Sequence, residues 1–119
     1  MTSLNIAVGI QARLSSSRLP CKAMLSMGEN SLLGFLIRRS LAHGYNTYLL
    51  TSDQAEDDIL EREALSVNVT GVIRGSIGDV RSRYATLSQI TKSNFLVRVT
   101  GDNPFTDFRA IKPLITYMQ

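Results

Sequence analysis

Apolar runs of strand length alternate with stretches of helical periodicity along this chain, and that alternation restricts the fold more than any other property. Ile6 to Ile10 reads as a strand, and Ser31 to Ala42 as a helix with Leu32, Leu33, Leu36 and Ile37 on one face, stopped at His43-Gly44. Thr47 to Leu50 is a second strand. Asp53 to Leu65 is a second helix, which Asp53 opens with Glu56 three positions on, a variant of the capping box. Val69 to Ile73, Asp79 to Thr91, Phe95 to Val99 and Phe108 to Met118 continue the pattern as strand, helix, strand and helix. The fold class expected is α/β: a three-layer αβα, Rossmann-like, mostly parallel sheet in a single domain over residues 1–119. With the first strand central and the order reversing beside it, the sheet should run third, second, first, fourth, which leaves Phe95 to Val99 on an edge.

In such sheets ligands bind at the carboxyl ends of the strands, next to the reversal. Three segments rich in polar and charged residues follow Ile10, Ile73 and Val99, so the pattern alone places them on one rim. The first is Gln11-Ala12-Arg13-Leu14-Ser15-Ser16-Ser17-Arg18-Leu19-Pro20-Cys21-Lys22. Small side chains let backbone N–H groups approach phosphate oxygens while Arg13, Arg18 and Lys22 neutralise them. A solvated basic loop has an equal claim on composition, but Pro20 fixes the loop's return and Leu19 can anchor it in the core. The segment is neither a P-loop nor a G-x-G-x-x-G turn.

Charge supports a polyphosphate ligand. The 13 Lys and Arg against 10 Asp and Glu leave only +3, with Arg13, Arg18, Lys22, Arg38 and Arg39 gathered in the first third. A nucleic-acid backbone would favour a broader basic stripe. The acidic stretch Asp53, Glu56, Asp57, Asp58, Glu61, Glu63 suits a helix start, with Asp57-Asp58 complementing its dipole. A single cysteine, Cys21, excludes an internal disulfide and fits a reducing compartment. No apolar run approaches the roughly 20 residues of a membrane span, and the N-terminus lacks signal-peptide regions. A cytoplasmic protein without a membrane partner is expected.

Several residues admit two readings. Asp102, in the turn Gly101-Asp102-Asn103-Pro104, offers a hard carboxylate to Mg²⁺ or an Asx-turn that caps the fourth strand. Ser76 and Asp79 form an N-cap with its box partner, or part of a ligand site. Arg83 and Tyr84 pack a helix against the rim. His43 closes a helix, so no histidine-based catalysis is supported.

The order Ala-Arg-x-x-Ser-x-Arg-Leu-Pro-x-Lys, from Ala12 to Lys22, resembles the nucleotide-binding signature of the CMP-sugar cytidylyltransferases, the acylneuraminate and 3-deoxy-manno-octulosonate enzymes among them. Arg74 to Tyr84 and Val97 to Pro104 resemble the spore-coat polysaccharide branch. The resemblance implies the N-terminal part of a fold of the nucleotide-diphospho-sugar transferase type, cut after about four strands, with the second half expected to begin near Gln119. It implies transfer of CMP from CTP to a sugar hydroxyl with release of pyrophosphate, in surface polysaccharide biosynthesis. Arg13, Lys22 and Asp102 would then be the catalytic residues, Arg13 and Lys22 on the triphosphate with Arg18 assisting, and Asp102 on Mg²⁺. Arg74, just after the third strand, would approach the pyrimidine. Gln11, Ala12, Ser15, Ser16, Asp79 and Thr100 complete the expected nucleotide site. Ser15 and Cys21 stand where many relatives have glycine, and Thr100 where some branches use glutamine. A UTP or GTP nucleotidyltransferase and a catalytically dead binding module are the alternatives. The exposed fourth strand points to a homo-oligomer, a dimer.

Overall fold

The computed structural model describes residues 6–14, 26–27, 30–76, 78–93, 95–101, 106–111 and 113. Its elements in order are β1 (Ile6–Gln11), β2 (Ser26–Met27), β3 (Asn30–Ser31), α1 (Leu32–Ala42), β4 (Asn46–Ser52), α2 (Asp58–Ser66), β5 (Gly71–Gly75), α3 (Val80–Thr91) and β6 (Phe95–Thr100). The four longer strands form one parallel sheet in the order β5-β4-β1-β6, which is the order expected. The antiparallel pair β2-β3 was not legible in the sequence, because two residues a side carry no periodicity.

The pleat of β1 divides the core. Ile6, Val8 and Ile10 join Leu33, Leu36 and Ile37 of α1 and Leu60 and Ala64 of α2 in one cluster. The opposite face gathers Leu50, Ile73, Tyr84 and Leu87 beneath α3. Burial on both faces is what near-continuous apolar strands require of a parallel sheet. Gly9 lets α3 approach: a Cβ there would stand 3.0 Å from side-chain atoms of Leu50, Tyr84 and Leu87.

The helix ends are chemically explicit. Ser31 caps α1, its Oγ accepting from Gly34 N–H at 3.0 Å and donating to Glu63 of α2 at 2.7 Å. At the other end Gly44 N–H donates to Leu41 and Tyr45 N–H to Ser40, a Schellman closure that needs the φ of +85° at Gly44.

Several boundaries differ from the sequence reading, and three of them are chemically informative. A 3₁₀ turn over Ala55–Asp57 precedes α2, which starts at Asp58, so Asp53 does not cap it. The Asp57 carboxylate is drawn inward at that turn, and Asp53 accepts from Gln54 Nε2 instead. The third long strand begins at Gly71 rather than Val69, after a turn with Asn68 at φ 61°. The last helix opens with a 3₁₀ turn, Phe108–Ala110, that Asp107 caps by accepting from Arg109 N–H; its expected end at Met118 lies outside the described residues. Among the described residues no helix is long and apolar enough to cross a membrane.

Candidate active site

The carboxyl ends of β1 and β6 are tied together. Thr100 is in register with Gln11, Gly101 N–H donates to the Gln11 carbonyl at 2.8 Å, and Ala12 N–H donates to Leu50 of β4 at 3.1 Å. Gln11, Ala12 and Thr100 are thus brought together, with Arg13 next along the chain. The approach is close: a Cβ on Gly101 would lie 2.8 Å from Ala12 Cβ and 3.1 Å from the Gln11 carbonyl oxygen. Ser15, Ser16, Arg18 and Lys22 of the expected loop lie outside the described residues, as do Cys21 and Asp102. Asp102 nevertheless follows Gly101 directly, and Gly101 is anchored to β1.

Asp57 holds the start of the loop, a role the sequence reading missed. Its carboxylate is fully buried. One oxygen accepts from Leu14 N–H at 2.8 Å and the other from the Ser52 hydroxyl. The chain leaving β1 is therefore pinned, one residue past Arg13, to the carboxyl end of β4. In the sequence Asp57 is one acid among several at a helix start, where the macrodipole accounts for them all. Its partner Leu14 stands 43 positions earlier in the chain, a separation that leaves no local signal.

Arg74 sits within β5, not after it. Its Nε–H donates to the Ser52 carbonyl at 2.8 Å, Nη2 donates to the Gln54 carbonyl at 2.7 Å, and Nη1 pairs with Asp58 at 2.8 Å and Glu61 at 3.6 Å. All three nitrogens are engaged in fastening the β4-α2 connection to the neighbouring strand. The Asp58 hydrogen bond is the main reason its guanidinium is held above its ordinary value, against the opposing effect of burial. Pairs this exposed add little stability, so the two backbone carbonyls are the firmer part of the clamp.

Asp79 is the N-cap of α3, accepting from Ser82 N–H at 3.0 Å, and the carbonyl of Ser76 accepts its own N–H. The cap is Asp79 itself rather than Ser76, because the 76–79 turn ends one residue before Val80. Arg83 turns from the first turn of α3 back over β5: its Nη2–H donates to the Ser76 carbonyl at 2.7 Å, and its Cγ would lie 3.3 Å from a Cβ on Gly75. Tyr84 does pack α3 on the sheet, and Arg98 of β6 lies 4.6 Å above its ring. Among the described residues no group of three or more His, Cys, Asp or Glu could hold a metal ion.

A family model described as Cytidylyltransferase matches residues 7–119. The spore coat polysaccharide biosynthesis protein SpsF of Bacillus subtilis is 38% identical over 104 residues, which are 82% of this chain and 43% of that protein. A cytidylyltransferase structure from Leptospira borgpetersenii superposes with a TM-score of 0.85 at 31% identity, covering 97% of this chain and 49% of the other. The structure of CMP:2-keto-3-deoxy-manno-octonic acid synthetase complexed with CTP superposes with a TM-score of 0.75 at 21% identity, covering 96% and 47%, a likeness of fold. The chain spans about half the length of these relatives.

Proposed function

The chain belongs to the cytidylyltransferase family, and from that premise we propose that it binds CTP at the carboxyl rim of β1 and β6 and serves the transfer of CMP to a sugar hydroxyl in surface polysaccharide synthesis. The observation that carries this reading is the bond from Gly101 N–H to the Gln11 carbonyl. It fixes Gly101, the residue before Asp102, beside Gln11, the residue from which the cationic segment runs, and a triphosphate contacted by both segments would need them close. Likeness to a spore coat polysaccharide protein supports the product class. Since the chain matches about half of each relative, sugar transfer is proposed of the whole protein and nucleotide binding of this chain.

In the proposed reaction the sugar oxygen forms a bond to the α-phosphorus as the bond to pyrophosphate breaks. Arg13 and Lys22 neutralise charge on the departing pyrophosphate, and Arg18 assists. Asp57, through Leu14, sets where Arg13 emerges. Mg²⁺ on the phosphates would supply further charge neutralisation, and Asp102 is its proposed protein contact.

Lys22→Ala should remove a charge-assisted contact of roughly 1.5–3 kcal/mol and weaken CTP binding at least tenfold. Titration calorimetry of both proteins with CTP, and of the native one with UTP, GTP and ATP, is the check. Equal affinities for CTP would take the loop out of the site, and a preference for another base would change the substrate.

A homodimer belongs to the same proposal. β6 is an edge of the described sheet, and its Phe95, Leu96 and Val97 are only half-buried. A strand with one neighbour in the described sheet can pair with another chain. Light scattering is expected to give the mass of a dimer; a monomer across the accessible concentration range would remove this part.

A further inference from the structure

Arg83 is a charged side chain buried with a single hydrogen bond and, among the described residues, no ion pair. The residue is 1% exposed, and of its three guanidinium nitrogens only Nη2 has a partner, the Ser76 carbonyl. Nε and Nη1 are buried with no hydrogen-bond partner, and no carboxylate lies within ion-pair distance of it among the described residues. Such an arrangement is costly, because an arginine cannot shed its proton and an unpaired buried cation keeps its desolvation penalty. Two features of its surroundings add to the cost. Arg83 stands in the first turn of α3, the end of a helix that repels cations. Arg13 is near enough that its charge, after burial, is the second cause lowering the affinity of Arg83 for its proton; Asp57, Asp53 and Asp79 oppose it.

Resting on the nucleotide-binding reading above, we propose that Arg83 is a phosphate contact of that site, donating from Nη1–H, which has no partner within the protein, to a phosphate oxygen. An anion there would satisfy the Nη1 donor and offset the positive charge that Arg83 and Arg13 bring to the same region. A neutral base would satisfy that donor but leave the charge unopposed. The Ser76 carbonyl and the absent side chain of Gly75 hold the arginine stem in place, so little ordering is left to the ligand. Arg83 lies nine residues beyond Arg74, in a helix where sequence periodicity assigns it only to packing.

The test compares the native chain with Arg83→Met and Arg83→Lys, using inorganic tripolyphosphate, CTP and cytidine as probes. Arg83→Met is expected to melt at the native temperature or above it when free, since a buried unpaired charge has gone. It should bind tripolyphosphate and CTP at least tenfold more weakly, with cytidine unchanged, and Arg83→Lys should fall between. In the native chain, the Arg83 ¹⁵Nε–H resonance should shift as tripolyphosphate saturates; this readout needs no variant to fold. An unmoved resonance overturns the proposal, as does native tripolyphosphate binding by Arg83→Met with a lowered melting temperature, which makes the residue structural. Equal losses for cytidine and CTP overturn it in favour of a base contact. If CTP binds both proteins alike, the phosphate contact fails and the nucleotide reading stands. If tripolyphosphate binding depends on Arg83 while CTP does not bind, the contact stands and that reading fails.

Discussion

Asp57→Ala is expected to cost about 3–5 kcal/mol of stability, a large share of the roughly 5–15 kcal/mol available to a domain of this size. Truncation leaves the part-buried Leu14 N–H and the buried Ser52 hydroxyl without their charged acceptor, and each such loss costs about 1.5–3 kcal/mol. Asp57→Asn is the finer probe. Its amide oxygen can still accept from Leu14, but its NH₂ then faces a hydroxyl that already accepts from Gln54 N–H at 3.2 Å and must redirect its own proton. About 1–2 kcal/mol is expected for that change. Urea unfolding monitored by circular dichroism measures both. Because Leu14 is the pin for the chain beyond Arg13, the folded fraction of each variant should also bind CTP more weakly. A stable Asp57→Ala protein with native affinity would show that the loop is positioned by other contacts.

The difference between Asp57 and its neighbours marks where sequence reading stops. Ile6, Val8 and Ile10 announce a buried strand because burial is a local, periodic demand, and the order of four such strands follows from short βα connections. Gly44 and Ser31 were legible as helix ends for the same reason: capping is settled within a few residues. Asp57, Arg74 and Arg83 are not local in this sense. Each meets its decisive partner through the sheet: Leu14 for Asp57, the carbonyls of Ser52 and Gln54 for Arg74, the stacked stem over Gly75 for Arg83. Periodicity assigns the first to a helix dipole, and the last to packing. The meeting of Gln11 with Thr100 at one rim was legible, because the carboxyl ends of adjacent parallel strands must converge.

Gly101→Ala is expected to separate the two halves of the rim and to weaken CTP binding more than tenfold, with a stability loss of about 1–3 kcal/mol. The added Cβ would stand 2.8 Å from Ala12 Cβ and 3.1 Å from the Gln11 carbonyl oxygen, and neither belongs to a flexible side chain that could swing aside. Relief must come from the backbone: the Gly101–Gln11 hydrogen bond stretches, and the Asp102 turn moves away from the loop that begins at Ala12. The double variant Gly101→Ala/Ala12→Gly tests that cause, because it removes the shortest contact and leaves the one at 3.1 Å and an ordinary contact with Ala12 Cα at 3.5 Å. Contact between the two positions means their effects should not add, and the second change should recover part of the affinity lost to the first. Calorimetry with CTP on the native protein, both single variants and the pair closes the cycle. Additive losses would mean that the two strand ends act independently, and that the Gly101 bond to Gln11 does not hold the site together.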